Sequence, residues 1–258
     1  MRLSIASVRL RRFAASAGQV IAIAALAIGP AHAQGRQAGP PPPRAAAPVD
    51  LTGTWIAVVT EDWRWRMRTP PKGDLTSLPL TEAAIKVAQA WDPARDTAAG
   101  EQCRAYGAAG VMRMPGRLRF SWQNDTALRL ETEAGTQTRL LQFGRRPPAP
   151  VRPGWQGVSI ADWQFAGGRR GGSAGSLRVV TTNMRPGYLR KNGVPYSADA
   201  QLTEFFNVVT DATSNDTWLI VTTMVEDPQY LSVPRFVTSS HFRKADASPW
   251  NPTPCVAD

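Results

Sequence analysis

A carboxylate on an apolar strand face is the side chain in this sequence best suited to chemistry. In the segment QLTEFFNVV, Glu204 shares one face with Leu202, Phe206 and Val208, because successive strand residues point to opposite sides. A carboxylate on such a face needs a partner, since burying an unpaired charge is costly. The three cations that precede it most closely in the sequence are Arg185, Arg190 and Lys191.

Two interpretations of Glu204 stay open at this point. Next to one of those cations it is a structural ion pair. Next to a hydroxyl in a cavity it can act as a general acid and base, with Tyr196 or Arg190 stabilising an oxyanion. The second arrangement would be a cofactor-independent enzyme: a lyase, isomerase or hydrolase.

The histidines and cysteines favour neither a metal site nor a cofactor. His32 lies in the predicted leader described below, so His241 is the one histidine left in the mature chain. One imidazole and two cysteines are too few for the usual zinc sites or for haem held by two histidines. We therefore predict no metal and no cofactor.

Aromatic residues supply the second candidate site. In TEDWRWRMRTPP, residues 60 to 71, indole and guanidinium groups alternate. Read as a continuation of the strand that starts at Trp55, this pattern places Trp63, Trp65 and Met67 on one face and the arginines on the other. We predict a cavity for a small, mostly apolar or aromatic molecule, lined by Trp55, Trp63, Trp65, Tyr188 and Phe206.

The first 33 residues have the pattern of a secretory signal peptide. Four arginines between Arg2 and Arg12 are followed by the apolar run VIAIAALAI and by Ala31-His32-Ala33, a typical cleavage site before Gln34. The apolar run is shorter than the ~20 residues of a membrane helix, so we expect no stable membrane insertion. The sequence thus predicts a periplasmic or secreted protein.

Export affects how the net charge and the two cysteines are interpreted. The chain carries a formal net charge of +10, and removal of the leader arginines leaves about +6, scattered along predicted strands. A nucleic-acid partner is therefore not expected. An oxidising compartment permits disulfides, and the two cysteines, Cys103 and Cys255, are predicted to pair.

Composition divides the mature chain into a tether and one domain. Residues 34 to 49, QGRQAGPPPPRAAAPV, have little to bury and contain a four-proline run, so we predict a disordered Pro/Ala-rich tether. Residues 50 to 258 show no break in composition. We interpret them as a single domain.

Short segments with period-2 alternation dominate that domain and predict eight or nine strands. They are GTWIAVVT, LRFSWQ, TALRLETEAG, TQTRLLQF, WQGVSIADWQ, SLRVVTTNM, AQLTEFFNVVT, TWLIVTTMVED and RFVTSSHFRK. One short helix is predicted in TEAAIKVAQAW, capped by Thr81 and stopped by Asp92-Pro93. Closing the sheet edges gives an all-β fold, an up-and-down barrel.

Several longer segments resemble a known group of proteins. LTGTW resembles the Gly-x-Trp start of lipocalin-like barrels, and it is joined by CRAYGAAGVMRMPGRLRF, GVSIADW, SLRVVTTNMRPGYLRKNGVPYSADAQLTEFF and TWLIVTTMVEDPQY. Together they resemble uncharacterised exported bacterial proteins with lipocalin-like barrels, over most of the chain from Leu51 to Lys244. The resemblance implies a lipocalin-like barrel. It covers Glu204 without implying a role for it.

The sequence therefore supports two functions of different classes. In the first, an exported barrel binds a small, mostly apolar molecule in its aromatic-lined cavity. In the second, the same barrel is the enzyme described above, with Glu204, Tyr196 and Arg190 as its catalytic residues. The surroundings of Glu204 discriminate between them: an open cavity favours the enzyme, and an arginine in a filled interior favours a structural pair.

Overall fold

The computed structural model describes residues 39–59, 63–144, 152–168 and 174–257. The described residues from Pro40 onward belong to one compact unit, Pro40–Asp258. The predicted signal peptide and residues 34–38 of the predicted tether lie outside the described residues. The side chains of Trp63 and Trp65 do so as well. In the described part of the chain, no helix has the length and apolarity needed to cross a bilayer.

Nine strands form a closed barrel, which confirms the all-β barrel predicted from the alternation. They follow one another around the barrel in chain order, and a separate hairpin, Gly187–Arg190 with Val194–Tyr196, is inserted between the sixth and seventh barrel strands. The strands are β1 Gly53–Val58, β2 Arg117–Asn124, β3 Ala127–Thr132, β4 Gln137–Phe143, β5 Val158–Phe165, β6 Gly175–Thr182, β7 Gly187–Arg190, β8 Val194–Tyr196, β9 Gln201–Thr210, β10 Thr217–Glu226 and β11 Phe236–Lys244.

One pairing breaks the predicted up-and-down alternation. Neighbouring barrel strands are antiparallel except β4 and β5, which run parallel and pair at three positions, from Leu141 with Ser159 to Phe143 with Ala161. A parallel pair cannot be joined by a tight hairpin, so β4 and β5 are not a hairpin pair of an up-and-down barrel.

Short helices lie between β1 and β2. They are α1 Trp63–Arg66, α2 Glu82–Ala90, α3 Pro93–Ala98 and α4 Ala108–Val111. The predicted helix is α2, and the Thr81 hydroxyl accepts a hydrogen bond from the backbone N–H of Ala84. Asp92-Pro93 ends α2 but also begins α3, with Asp92 as N-cap and Pro93 in the first turn. The prediction of one short helix was therefore incomplete.

The prediction that the Trp/Arg ladder continues β1 was wrong. The strand ends at Val58, and the residues WRWR form α1. This turn brings Arg66 back to the end of β1, where its guanidinium donates to the carbonyls of Val58 and Arg113. The two Trp-Arg pairs span only four residues, and four residues fit a strand and a single helical turn equally well. The pattern therefore does not discriminate between a strand and a helix.

Inward-facing residues of the strands fill the barrel with apolar side chains. The main cluster includes Trp55, Phe120, Leu128, Phe206 and Phe242, each at most 1% exposed. Val111 and Met112, at the end of α4, pack in the same cluster. A second cluster packs the β7–β8 hairpin against the barrel through Leu189, Val194, Tyr196, Leu202 and Val225.

The segment predicted as a tether contacts the barrel from residue 43 onward. The carbonyl of Pro43 accepts a hydrogen bond from Trp163 Nε1 at 2.8 Å, and Pro48 is buried next to Gly175. Val49 packs against the main core cluster. These contacts make residues 43–49 part of the folded unit.

Candidate functional site

Glu204 lies inside the barrel in a buried polar network. Its carboxylate accepts hydrogen bonds from the Arg139 guanidinium at 2.6 and 3.2 Å, and both side chains are fully buried. Arg139 Nη2 also donates to Ser159 Oγ and Thr181 Oγ1, which contact each other at 2.8 Å. The four residues come from four successive strands of the barrel: β4, β5, β6 and β9.

This arrangement is the structural ion pair, formed with Arg139, which is not one of the three expected partners. Arg139 shares its strand face with Leu141, so the period-2 pattern of TQTRLLQF indicated an inward arginine. Of the three expected partners, Arg185 pairs with Glu101 at 2.6 Å. Arg190 and Lys191 line an outer cleft described below.

Two of the predicted ligand-binding aromatics belong to the barrel core. Trp55 is fully buried, and its indole N–H donates to the Leu51 carbonyl. Phe206 packs edge to face on Phe120, with ring centroids 5.8 Å apart. Both rings pack against neighbouring side chains in the barrel interior and so stabilise the core.

The predicted tyrosines lie outside the barrel, on the hairpin. Tyr196 is completely buried, and within the described residues its hydroxyl has no hydrogen-bond partner. Burial raises the pKa of Tyr196, which keeps its hydroxyl neutral. Tyr188 donates a hydrogen bond to Asp96 at 2.8 Å. Burial and then this bond raise the pKa of Tyr188 as well.

The structure thus separates the three predicted catalytic residues. Glu204 is inside the barrel with Arg139, Tyr196 is in the hairpin cluster, and Arg190 lines a surface cleft. Arg190 is held by a hydrogen bond to the carbonyl of Thr76.

We call that surface feature the basic cleft. It has a volume of about 170 Å³ and lies between the residues that follow α1, the segment around α4, the hairpin and the C-terminal tail. Five of its lining residues are cations: Arg66, Arg68, Arg113, Arg190 and Lys191. Its other lining residues include Met67, Pro70, Tyr106, Met114, Pro115, Leu189 and Thr253.

Local backbone contacts fix the cations at the base of the cleft. Arg66, 5% exposed, donates from Nη1 to the Val58 carbonyl at 2.8 Å and from Nε to the Arg113 carbonyl at 3.2 Å. Arg190, 9% exposed, donates to the Thr76 carbonyl at 3.1 Å. These carbonyl acceptors orient both guanidinium groups. The pKa of Asp74 is lowered by its hydrogen bonds with Thr76 and then by the charges of Arg64 and Arg190, so Arg190 also interacts with a carboxylate.

Close packing of α4 on the hairpin forms the floor of the cleft. A side chain at Gly110 would meet the carbonyls of Ala105 and Tyr188 at 2.7 Å, so only glycine permits this approach. Tyr106, 5% exposed, lies beneath Lys191, whose ammonium is 5.7 Å from the ring centroid.

The C-terminal tail forms the remaining wall. The predicted disulfide between Cys103 and Cys255 is confirmed, with the two Cα atoms 5.1 Å apart. Thr253 donates through its backbone N–H to the Glu133 carbonyl at 2.8 Å, and Val256 donates to the Tyr106 hydroxyl. The disulfide therefore fastens a tail that lines the cleft at Thr253.

Cations outnumber carboxylates among the described residues that line the cleft. No carboxylate is among the described residues that line it, against five cations. Glu61 and Asp62 precede α1 and lie outside the described residues.

Comparison with known proteins adds no assignment, because no family model, curated protein or solved structure matches this chain. The function has to be inferred from the geometry of the chain itself. The basic cleft is a concave surface in which charged groups converge beside apolar side chains, and ligand sites commonly have this character.

Proposed function

We propose that the protein is an exported binding protein for a small molecule with an apolar body and one anionic group, held in the basic cleft. The observation that carries the proposal is the convergence of five cations beside an apolar wall. The barrel interior is a less favourable place for a ligand, because the buried side chains of Trp55 and Phe206 occupy it.

Charge and packing each favour part of such a ligand. A carboxylate, sulfate or phosphate group can accept charge-assisted hydrogen bonds from Arg113 and Lys191 and benefits from the fixed charges of Arg66 and Arg190. Met114 and Leu189 offer apolar surface to the rest of the molecule. The proposed ligand is therefore still mostly apolar, as predicted from the sequence, but its proposed site is the surface cleft and not the barrel interior.

The volume of the cleft limits how much of the ligand is buried. A cavity of ~150 Å³ holds one benzene molecule. The basic cleft, at about 170 Å³, therefore encloses one ring or a chain of similar volume. Benzoate is the matching probe, with benzamide as a neutral molecule of nearly the same shape.

We predict that Lys191→Ala and Arg113→Ala each weaken benzoate binding about tenfold, because each removes a charge-assisted contact worth ~1.5 kcal/mol or more. Isothermal titration calorimetry at low salt measures this directly. Benzamide should bind far more weakly than benzoate, and added salt should reduce benzoate affinity.

A matched control separates a local contact from the loss of net charge. Arg235→Ala also removes one positive charge, but Arg235 pairs with Glu226 and does not line the cleft. It should leave benzoate affinity nearly unchanged. Equal effects of all three substitutions, or equal binding of benzoate and benzamide, would exclude the cleft as an anion site.

Export, and membership of the exported barrel group that the sequence resembles, belong to the same proposal. The Cys103–Cys255 disulfide supports it, because such bonds persist mainly in oxidising compartments. We predict that the native protein begins at Gln34 and is recovered from the periplasm or the medium. Mass spectrometry decides this, and an intact Met1 in a cytoplasmic fraction would contradict it.

A further inference from the structure

A belt of polar side chains crosses the interior of the barrel on six adjacent strands. Its members occupy inward-facing positions and are at most 4% exposed: Arg139 on β4, Ser159 on β5, Thr181 on β6, Glu204 on β9, Thr223 on β10 and Ser240 on β11. We call these six residues the polar belt. The first four form the buried network around Glu204 described above.

The other two members of the polar belt have no partner in the protein. The hydroxyl oxygens of Thr223 and Ser240 are buried, and no group of the described residues hydrogen bonds to either of them. Nε of Arg139 is a third buried atom of the belt without a partner. Native proteins rarely leave such groups unsatisfied, because an unpaired buried hydroxyl keeps the full cost of its desolvation. The two hydroxyls therefore need a partner that the side chains around them do not supply.

The strand register brings the two hydroxyls close to each other. Thr223 is directly opposite Thr238 on β11, and Ser240 is two residues beyond Thr238 on the same face. Thr223 and Ser240 are thus diagonal neighbours inside the barrel, with an expected Cβ separation of roughly 7 Å. Two hydrogen bonds made by one water oxygen span about 5.6 Å, so a single water can join the two hydroxyls.

The charges beside the hydroxyls favour a neutral molecule over an ion. Thr223 is directly opposite Glu204 on β9, and the Glu204 carboxylate is already paired with Arg139 at 2.6 Å. A cation would be repelled by Arg139 and an anion by Glu204. Water both donates and accepts, as a hydroxyl does, and a buried water typically makes about three hydrogen bonds. Two hydroxyls and one carboxylate oxygen provide that number.

We propose that the polar belt is a buried water site, in which one water molecule bridges the hydroxyls of Thr223 and Ser240 next to Glu204. The site lies inside the barrel and is independent of the basic cleft. It completes the belt from β4 to β11 with a solvent molecule where the protein offers no partner.

Oxygen-17 magnetic relaxation dispersion of the mature protein counts its long-lived internal water molecules. The double variant Thr223→Val/Ser240→Ala should contain one such water fewer than the parent. Thr222→Val is the matched control, because Thr222 is adjacent in sequence but lies on the outward face of β10, and it should leave the count unchanged. The same count in the parent and the double variant would overturn the proposal.

Urea unfolding of the single variants tests the site a second way. Thr223→Val keeps the shape of the side chain and should unfold at a lower urea concentration, because the bridging water loses a partner. A hydroxyl without any partner gives the opposite result, a more stable valine variant. Because both hydroxyls share one water, Ser240→Ala should cost less stability in the Thr223→Val background than in the parent. A stabilised Thr223→Val variant, or fully additive losses, would contradict the shared water.

Discussion

Replacing Arg139 by methionine is expected to lower the free energy of unfolding by about 3 to 5 kcal/mol. The substitution leaves the Glu204 carboxylate fully buried without its cation, and it leaves the Ser159 and Thr181 hydroxyls without a shared donor. Losing one partner of a buried pair costs more than the pair contributes when intact, because the remaining charge is uncompensated. Urea unfolding followed by tryptophan fluorescence measures the change.

The double variant Arg139→Met/Glu204→Leu distinguishes the ion pair from packing. It removes both charges, so most of the lost stability should return. Glu204→Gln should likewise act on stability and leave benzoate affinity unchanged, because Glu204 is inside the barrel and the basic cleft is outside. A single variant as stable as the parent, or a double variant no better than the single, would contradict the structural role.

Removing the disulfide has the second large expected effect. Cys103 and Cys255 are 152 residues apart, and in the chain-entropy model a cross-link over that distance stabilises the fold by up to about 5 kcal/mol. Cys103→Ser/Cys255→Ser should therefore unfold at a clearly lower urea concentration than the oxidised parent. The parent should contain no free thiol when titrated under denaturing, non-reducing conditions.

The tail has other contacts, which set the control for this experiment. Thr253 and Asn251 hydrogen bond to Glu133 independently of the sulfur atoms. Thr253→Val removes a hydroxyl from the same tail while the disulfide stays, and it should cost much less stability. A double cysteine variant that loses less than about 1 kcal/mol would show that the cross-link adds little beyond those hydrogen bonds.

Strand alternation predicted the barrel well because it depends on neighbouring residues only. The faces of Glu204 and Phe206 followed directly from period 2, and both side chains are buried as that pattern requires. The partner of Glu204 was missed for a different reason. Alternation shows that Arg139 points inward, but not that β4 and β9 bring it to the same level of the barrel.

The basic cleft could not be predicted in the same way, because it is assembled from distant parts of the chain. Arg66 follows β1, Arg113 follows α4, Lys191 is at the end of the hairpin, and Thr253 is in the tail. No spacing in the sequence joins these positions. The sequence did show arginine and lysine adjacent at the hairpin turn, and it showed the cysteines that hold the tail in place.

Methionine methyl groups offer the most direct test of where the ligand binds. Met67 and Met114 line the basic cleft, Met112 packs in the barrel core with Trp55 and Phe206, and Met184 lies in the hairpin cluster. In NMR spectra of protein with isotope-labelled methionine methyl groups, titration with benzoate should shift the Met67 and Met114 signals and leave Met184 in place. A shift of Met112 with Met67 and Met114 unmoved would place the ligand inside the barrel and contradict the account.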